Sequence, residues 1–454
     1  NGLQVHRTTG LEVAPISLRP MPFPRQVYTQ VKGLVDHFNI LIHKVSLDHE
    51  FLNEHLTEVG KTDEFQRRTL EIFNQVRTEG VRQPISLGIL RSDYMLHDEK
   101  DGSPLVPRQV EINTIASSFG ALSQRVSALH RFLLGRVPIE GMLPEDCPDN
   151  TPVNGIASGL AEASSLYSDS EPASTPGAKG RKIAVLFVVQ GGETNVFDQR
   201  HIEFRLWDEH KLPVIRATLA EVNEKAQLDE GSRRLTLHGF EISVIYFRAG
   251  YAPTDYHGEA EWAARLTMER SAAIKCPTAA YQCVGAKKIQ QVLAAPGIVE
   301  KYLDADSAAK VRACFAGLYP LGDGSEEAKQ AVASALKSPT QYVLKPQREG
   351  GGNNLYEADM IEALNSLGEQ GLQAFILMDI IQAPPAPALF MRNSEVIDTE
   401  ATTELGTYGI VLGKGEKILK SDFAGHLLRS KVSSSKETGV AAGFGVLDSP
   451  ILYD

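Results

Sequence analysis

The chain has 454 residues and a net charge of −11, and its 42% hydrophobic and 23% charged residues are ordinary for a globular protein. The acidic balance argues against general binding to nucleic acid or to anionic membranes, because both need basic patches. No stretch approaches about 18 uninterrupted apolar residues, so no membrane span is expected. The length is enough for two or three domains, or for one elaborated domain.

The cysteines point to a reducing compartment. The chain has four cysteines, namely Cys147, Cys276, Cys283 and Cys314. None of them belongs to a CxxC pair or lies beside a histidine cluster. We therefore expect neither a disulfide framework nor a zinc site. Cys276 and Cys283 lie near a basic pair, so one interpretation is a reactive thiol. The favoured interpretation is a buried cysteine with a structural role. We expect a cytoplasmic protein. The chain begins at Asn1 without Met, and a transit peptide before it would direct import into an organelle.

Two helices are predicted near the start of the chain. Residues 24–45 carry apolar side chains at helical spacing, with Pro24 near the start. Residues 63–80 repeat this pattern between Asp63 and Gly80, which are typical helix start and stop signals. We expect the two helices to pack as an antiparallel pair.

A hairpin is predicted next. An apolar run at residues 85–96 and alternating residues at 108–120 are separated by the turn sequence DGSP at 101–104. Two strands joined by a turn fit this pattern. The second strand leads into a Ser/Ala/Gly segment and a helix over 120–135. Polar residues at the exit of a strand are a common place for a functional site.

The second half of the chain has an α/β rhythm, which begins after a Ser/Pro/Gly-rich linker at residues 168–180. Strands alternating with helices favour a parallel sheet with helices on both faces. The predicted strands cover residues 182–189, 235–251, 341–346, 373–381, 395–413 and 418–432. The predicted helices cover residues 196–210, 259–275, 285–295, 325–337 and 361–371. The Gly/Ala-rich segment at 439–448 fits a tight loop over a small ligand, or a closely packed helix or strand.

The most unusual stretch is LKPQREGGGNNLY at residues 344–356, in which Lys345 and Glu349 precede three glycines. Glycine runs are costly in regular elements and are kept where the backbone approaches a ligand or needs positive φ. Backbone N–H groups in such a loop can converge on phosphate oxygens, and a nearby glutamate can hold Mg²⁺. A site for a metal-bound polyphosphate and a flexible surface turn are both open on this stretch alone.

Two further sets of polar residues accompany this stretch. Acidic and amide side chains next to apolar strand residues are Glu111, Asn113, Glu349 and Glu404. Basic candidates are Arg91, Arg248, Lys287, Lys345, Arg429 and Lys431. Carboxylates from separate segments can bind one Mg²⁺ together. Cations in a cleft can bind phosphates and carboxylates. The same residues would also be found on strand faces that are exposed to solvent. Arg248 ends the apolar run ISVIYF, which predicts partial burial and a ligand.

Long motifs over nearly the whole chain resemble those of eukaryotic glutathione synthetases, in the same order. They are RSDYM (91–95), EINTI (111–115), NVFDQR (195–200), YFRAGY (246–251), IKCP (274–277), KPQREGGGNNLY (345–356) and HLLRSK (426–431). The resemblance implies an α/β protein with a circularly permuted ATP-grasp fold, an inserted parallel α/β substrate-binding domain and a lid. It also implies an ATP-dependent ligase that joins γ-glutamylcysteine to glycine, uses Mg²⁺ and works as a homodimer.

The same resemblance implies a reaction path and a domain division. ATP would phosphorylate the cysteinyl carboxylate, and the glycine amine would attack the acyl phosphate, which needs positioning and charge neutralisation rather than a protein nucleophile. Residues 1–180 would form the N-terminal part of the ATP-grasp body, with the metal-ligand strand. Residues 181–285 would form the substrate-binding domain. Residues 286–454 would form the C-terminal part, with a lid at about 319–398, the glycine-rich loop and an alanine-rich loop.

The matched motifs also imply residue roles. The implied magnesium ligands are Glu111, Asn113 and Glu349. The implied ATP-binding residues are Glu111, Lys287, Lys345, Gly350, Gly351, Asn354, Tyr356, Met378, Ile381, Glu404, Lys431 and Glu437. The implied substrate-binding residues are Arg91, Ser118, Glu193, Asn195, Gln199, Arg248, Tyr251, Arg429, Val440 and Ala441. The residues that resemble the catalytic set are Arg91, Lys345, Gly350 and Gly351.

Some positions depart from the animal pattern of this family. Ala116 stands where that pattern has Ser, Glu437 where it has Asp, and Ile380 where it has Lys. The pair Ala441-Ala442 resembles the relatives that use glycine, whereas those that prefer β-alanine have bulkier residues there. A synthetase that uses β-alanine and a non-catalytic nucleotide-binding homologue stay open. The joint presence of Arg91, Glu111, Lys345 and Glu349 favours a catalyst.

Overall fold

The structure is a computed structural model that describes residues 2–7, 10–169, 181–347, 352–436, 438–440 and 443–454. Most of the predicted linker at 168–180 lies outside the described residues. The same holds for the candidate site residues Glu349, Gly350, Gly351, Glu437 and Ala441. Within the described ranges, no helix combines the length and the apolar character needed to cross a membrane.

The described chain alternates helices and strands. Its helices are α1 (Arg25–Leu47), α2 (His49–Gly60), α3 (Glu64–Glu79), α4 (Gly120–Arg136), α5 (Pro152–Asp169), α6 (Val196–His210), α7 (Leu219–Lys225), α8 (Glu259–Arg270), α9 (Ala279–Val284), α10 (Lys287–Ala294), α11 (Ala305–Ala313), α12 (Glu326–Lys337), α13 (Glu357–Ser366) and α14 (Gly368–Leu372). Its strands are β1 (Gln4–Arg7), β2 (Gly10–Val13), β3 (Ile16–Ser17), β4 (Met21–Pro24), β5 (Ile85–His97), β6 (Val106–Asn113), β7 (Ile183–Val188), β8 (Val214–Ala217), β9 (Gln227–Leu228), β10 (Leu235–Leu237), β11 (Phe240–Phe247), β12 (Ile274–Cys276), β13 (Leu318–Tyr319), β14 (Tyr342–Pro346), β15 (Leu355–Tyr356), β16 (Phe375–Asp379), β17 (Ala386–Arg392), β18 (Glu395–Lys414), β19 (Lys417–Val432), β20 (Gly445–Asp448) and β21 (Pro450–Tyr453).

The predicted start and stop signals of α3 are confirmed. The Asp63 carboxylate accepts a hydrogen bond from the backbone N–H of Gln66 at 3.0 Å, and Gly80 ends the helix with a φ of 95°. The predicted antiparallel pairing of the first two helices is wrong. The helix α2, which lies between α1 and α3 in the chain, was not predicted. Helix α3 packs mainly against α2 and α9 instead of α1.

One 13-stranded sheet runs through the molecule in the order β17-β3-β20-β19-β18-β5-β12-β11-β10-β9, with β6 on β5 and β7 between β11 and β8. The predicted parallel arrangement holds for β7, β8, β11 and β12. The long strand β18 pairs antiparallel with β5 and β19, so the sheet as a whole is mixed. Strand β5 joins the two parts, because it pairs with β12 at Ser86 and with β6 from Arg91 onward.

Several predicted boundaries need correction. The helix predicted over 259–275 ends at Arg270, and β12, which is fully buried, begins at Ile274. Short apolar runs do not distinguish a buried strand from a buried helix, which explains this error. The strand predicted over 108–120 ends at Asn113, where a loop leads into α4.

Helices cover both faces of the central strands. On β5, Leu90 and Tyr94 belong to the core beneath α1 and α2, whereas Leu87 and Ile89 belong to the core beneath α4 and α5. Successive side chains of a strand point to opposite faces. The polar residues at 91 and 93 therefore share the face covered by α4 and α5.

A second, four-stranded sheet has the order β13-β16-β14-β15. With α12 and α13 it forms its own small core, which includes Ala331, Leu344, Met360 and Leu377. Strand β14 carries Lys345 and ends at Pro346, four residues before the first of the three consecutive glycines. The predicted lid, at about residues 319–398, covers most of this unit, and the lid and the other predicted domain boundaries stay predictions.

The buried carboxyl group of Asp448 on β20 is expected to make stability depend on pH. Asp448 is 1% exposed, accepts a hydrogen bond from Ser430 Oγ at 2.6 Å, and has His130 Nδ1 3.9 Å away. Burial raises its pKa from 3.8 to about 8. The folded protein therefore binds this proton more tightly than the unfolded chain. The resulting stabilisation is complete below pH 3.8 and is lost as the pH rises to about 8.

The variant Asp448→Asn removes this titration. Between pH 5 and pH 7.5 its free energy of unfolding should gain about 3 kcal/mol relative to the unchanged protein, since a full pKa unit is worth about 1.4 kcal/mol. Denaturant unfolding of both proteins at the two pH values measures this. A difference between the proteins that is the same at both pH values would contradict the assignment.

Candidate active site

Strands β5 and β6 place four predicted polar positions side by side. Arg91 lies opposite Asn113, and Asp93 lies opposite Glu111. Because alternate residues of a strand share one face, these four side chains lie on the same face of the hairpin. The predicted hairpin thus supplies one edge of the site.

Strands β18 and β19 supply the neighbouring residues. Glu404 lies opposite Arg429, and Gly406 lies opposite Asp93. Arg429 Nη2 contacts the carboxylates of both Glu404 and Asp93, the latter at 3.0 Å. Residues separated by more than 300 positions in sequence therefore meet through strand register.

The Glu111 carboxylate lies among lysines. Its Oε2 atom is 2.8 Å from Nζ of Lys287, the first residue of α10, which is 3% exposed. Lys345 donates to the backbone carbonyl of Val110 at 2.9 Å. Burial raises the pKa of Glu111, but the charges of Lys287 and Lys345 outweigh it and hold the pKa below its ordinary value. Glu111 is therefore ionised.

Glu111 and Asn113 are suited to hold a divalent cation. The Asn113 side-chain nitrogen donates to Asp93 at 3.0 Å and to Glu111 at 3.3 Å, which leaves its carbonyl oxygen as the ligating side. Mg²⁺ prefers oxygen ligands and takes one or two carboxylates besides water and phosphate. Among residues that the structure describes, no cluster of three His, Cys, Asp or Glu side chains could hold a metal. The third predicted ligand, Glu349, lies outside them.

Arg91 is held rigidly by Asp93. Its Nε and Nη2 atoms donate to the two carboxylate oxygens of Asp93 at 2.7 and 2.8 Å, and the two residues are 6% and 0% exposed. Burial lowers the pKa of the Arg91 guanidinium, but the Asp93 carboxylate outweighs it and the net shift is upward. Arg91 is a fixed positive charge, and its Nη1 atom faces the backbone carbonyl of Ser118 at 3.5 Å.

The loop between β6 and α4 covers this arginine. Ala116 and Phe119 adopt left-handed backbone angles, with φ of 52° and 72°, which is unusual for residues other than glycine. The Asp198 carboxylate accepts the backbone N–H groups of Phe119 at 3.0 Å and Ala121 at 2.7 Å. It thereby satisfies the N-terminus of α4 and fixes the loop. Strained loops held in this way are common at functional sites.

A second polar network adjoins Ser118. Arg248 Nη2 donates to Ser118 Oγ at 2.8 Å and lies 3.4 Å from Asp198. The predicted burial of Arg248 is confirmed, since it is 3% exposed. Farther along, Gln199 donates to Glu193 at 2.5 Å, and Glu193 also accepts the backbone N–H of Asn195 at 2.8 Å. Five candidate substrate-binding residues thus lie in two hydrogen-bonded groups, Ser118 with Arg248, and Glu193 with Asn195 and Gln199.

These elements surround a pocket of about 290 Å³. Most of the described candidate site residues line it, namely Arg91, Glu111, Asn113, Ser118, Tyr251, Lys287, Lys345, Asn354, Tyr356, Met378, Ile381, Glu404, Arg429, Lys431 and Val440. Glu193, Asn195, Gln199 and Arg248 are not among the lining residues. Six basic side chains and three carboxylates face the pocket, so an acidic protein carries a cationic site suited to phosphates and carboxylates.

One wall of the pocket is apolar and comes partly from the small sheet. Val343 on β14 and Met378 on β16 lie beside Ile380, Ile381 and Met95. An apolar wall next to buried lysines suits a flat base joined to phosphates. Ile380, one of the departures from the animal pattern, belongs to this wall.

Sequence reasoning missed the two carboxylates that organise the arginines. Asp93 and Asp198 are both 0% exposed, and each pairs with a predicted arginine. Asp93 lies within the quoted motif RSDYM and Asp198 within NVFDQR. Each carboxylate could have been recognised as a charged residue within an apolar strand or helix face. Such a residue indicates a paired site, because a buried charge needs a partner.

The fold and the pocket define the class of protein. A large mixed sheet and a small sheet with its own helices share a cationic pocket, and a glycine-rich stretch follows a buried lysine. This arrangement agrees with the predicted ATP-grasp fold. Among solved structures, a glutathione synthetase-like effector from Globodera pallida in its apo form shares the fold, with a TM-score of 0.78. That alignment covers 100% of this chain and 94% of the effector, at 23% identity.

Sequence comparisons identify the family. A family model described as eukaryotic glutathione synthase, ATP binding domain, matches residues 3–452. The glutathione synthetases of Dictyostelium discoideum and Homo sapiens are 42% and 41% identical, over 96% of this chain and 91% and 90% of their own lengths. The chloroplastic glutathione synthetase of Solanum lycopersicum is 43% identical, over 96% of this chain and 77% of its own. The chain belongs to the eukaryotic glutathione synthase family, which confirms the resemblance in its motifs.

Proposed function

We propose that the chain joins γ-glutamylcysteine to glycine in this pocket, with ATP converted to ADP and phosphate. The observation that carries the proposal is the convergence of Arg91, Lys287, Lys345 and Arg429 on one pocket with the ionised Glu111. These charges can hold a triphosphate beside a substrate carboxylate. Such a reaction needs neutralisation and alignment of anions rather than a protein nucleophile.

The cysteines of the chain support a reaction without a thiolate of the enzyme. All four are buried and free, and none lines the pocket. Burial raises the pKa of Cys147 to about 11 and that of Cys283 to about 12, so both thiols stay protonated at neutral pH. Buried protonated thiols are poor nucleophiles.

In the first step an oxygen of the cysteinyl carboxylate attacks the γ-phosphorus of ATP, and ADP leaves. Lys287 and Lys345 hold the phosphates in this proposal, and Arg91 holds the carboxylate and then the acyl phosphate. Glu111 and Asn113, with Glu349, would hold Mg²⁺. When bound, Mg²⁺ neutralises phosphate charge and aligns the phosphate oxygens.

In the second step the amine nitrogen attacks the acyl carbon, phosphate leaves with the C–O electron pair, and the nitrogen loses a proton. Arg429 binds the carboxylate of glycine here, with the backbone at Val440 and Ala441. The network of Glu193, Asn195, Gln199 and Arg248, with Ser118 and Tyr251, binds γ-glutamylcysteine. The remaining nucleotide contacts are assigned to Gly350, Gly351, Asn354, Tyr356, Met378, Ile381, Glu404, Lys431 and Glu437.

We also propose that the enzyme is a homodimer in the cytoplasm. Leu11 and Val13 on β2 are 60% and 56% exposed, and Phe204 and Trp207 on the nearby helix α6 are 55% and 54% exposed. Exposed apolar side chains on these two elements favour contact with a second copy. The four free cysteines support a reducing compartment.

The amine is tested by ADP release with ATP, Mg²⁺ and γ-glutamylcysteine, and with glycine, β-alanine or serine supplied separately. We expect rapid release with glycine and at least tenfold slower release with the other amines, because an extra methylene in a tight pocket costs about 1–3 kcal/mol. Faster release with β-alanine would overturn the choice of amine. No amine-dependent release at all would overturn the ligation itself.

A further inference from the structure

Asp93 is joined to both arginines that the proposed mechanism assigns to substrate anions. Its Oδ1 atom accepts Arg91 Nε at 2.7 Å. Its Oδ2 atom accepts Arg91 Nη2 at 2.8 Å, Arg429 Nη2 at 3.0 Å and Asn113 Nδ2 at 3.0 Å. The side chain is 0% exposed and does not line the pocket. It therefore contacts neither nucleotide nor amino acid and acts only on the groups that do.

These bonds determine which edges of the two guanidinium groups remain for substrate. Asp93 occupies the Nε–Nη2 edge of Arg91 and leaves Nη1 toward Ser118 and the pocket. On Arg429, Asp93 and Glu404 both take Nη2 and leave the other nitrogens. The two-point bond to Asp93 fixes the plane of the Arg91 guanidinium as well as its position, whereas Asp93 holds Arg429 at the single atom Nη2.

The strand opposite Asp93 is adapted to this arrangement. A Cβ atom at Gly406 would lie 2.5 Å from Asp93 Oδ1 and 3.0 Å from Arg91 Cδ. Any larger residue would push the carboxylate and the arginine away from β18. Glycine at this position therefore lets the Asp93 and Arg91 side chains lie against the sheet.

A buried carboxylate beside a site for anions has an electrostatic disadvantage, because it repels the phosphates and carboxylates that bind there. Glu111 has a separate role as a cation ligand, but Asp93 has none. The placement of Asp93 is explained if the alignment of Arg91 and Arg429 favours the reaction more than the repulsion of the substrate anions opposes it. A misplacement of about 1 Å at a reacting centre can reduce the rate about a hundredfold.

We propose that Asp93 is a positioning residue that holds Arg91 and Arg429 at a fixed separation. It thereby fixes the acyl phosphate relative to the carboxylate of the incoming amine, which sets the approach of the amine nitrogen to the acyl carbon. This inference rests on the proposed function of the two arginines.

The first test is the variant Asp93→Asn, which keeps the shape of the side chain and removes its charge. We expect kcat to fall about a hundredfold and the KM values for glycine and γ-glutamylcysteine each to rise about tenfold, because both arginines lose their alignment. Binding of a non-hydrolysable ATP analogue should change less than twofold. The matched control is Glu241→Gln, which removes another buried carboxylate, paired with Arg181 and Tyr167 away from the pocket. Its kinetic constants should be unchanged.

The second test separates positioning from general support of the fold. In an Arg429→Gln background, Asp93→Asn should raise the KM for glycine no further, yet still raise that for γ-glutamylcysteine about tenfold through Arg91. Equal additional rises in both KM values would overturn the proposal. So would an Asp93→Asn enzyme with unchanged kinetics.

A third variant covers the case in which Asp93→Asn does not fold. Gly406→Ala keeps the carboxylate and displaces it, and it should raise the KM values for glycine and γ-glutamylcysteine as Asp93→Asn does. Unchanged KM values in this folded variant would overturn the proposal. If the unaltered enzyme shows no amine-dependent ADP release, the proposed function fails. If it is active and the variants behave like it, only the role of Asp93 fails.

Discussion

Replacing Arg91 with glutamine is expected to lower kcat about a thousandfold, the upper range for loss of one preorganised donor at a developing charge. The guanidinium is buried and permanently charged, it lines the pocket, and Asp93 leaves its Nη1 atom on the side of Ser118. Steady-state measurement of ADP release gives the effect. The KM for ATP should change little, because Lys287 and Lys345 remain.

Two controls sharpen this result. Arg91→Lys keeps a positive charge for Asp93 but loses the planar two-point contact, so its kcat should lie between those of the unaltered enzyme and Arg91→Gln. Arg181→Gln removes an arginine that pairs with Glu241 outside the pocket, and its kcat should be unchanged. A kcat for Arg91→Gln within tenfold of the unaltered value would show that this arginine does not stabilise the reacting group.

The variant Glu111→Gln is expected to combine a large fall in kcat with a changed requirement for Mg²⁺. It replaces an ionised ligand by a neutral amide of the same shape, and it leaves Lys287 without its carboxylate. We expect kcat to fall about a hundredfold and the Mg²⁺ concentration for half-maximal rate to rise at least tenfold, as for loss of a metal contact.

The titration of activity with Mg²⁺ at saturating ATP measures both effects. Glu99→Gln is the matched control, because Glu99 follows strand β5 and pairs with Arg108 at 2.8 Å outside the pocket. An unchanged Mg²⁺ requirement in Glu111→Gln would remove Glu111 from the proposed metal ligands.

Local patterns were sufficient for much of the fold. The hairpin of β5 and β6 was predicted because an apolar run and an alternating run lie on either side of a turn sequence, and α3 because Asp63 and Gly80 mark its ends. The family and the ATP-grasp fold are confirmed. The strand β12 was not recognised because three buried residues after a helix carry no period of their own.

The candidate site depended on relations that no local pattern contains. Arg91 and Arg429 are both in quoted motifs, but their meeting on Asp93 follows from the register of β5, β18 and β19. Gly406 looks like an ordinary strand glycine until its strand is placed against Asp93. Roles assigned through the motifs, including those of Glu349 and the glycine-rich loop, stay predictions.

In the proposed reaction the pocket activates a carboxylate as an acyl phosphate before the amine attacks. γ-Glutamylcysteine labelled with ¹⁸O in its cysteinyl carboxylate tests this most directly, with mass analysis of the phosphate released in the presence of glycine and ATP. If the carboxylate oxygen attacks the γ-phosphorus, each phosphate leaves with one oxygen from the substrate. Phosphate that carries no ¹⁸O, formed together with the ligated product, would contradict the account.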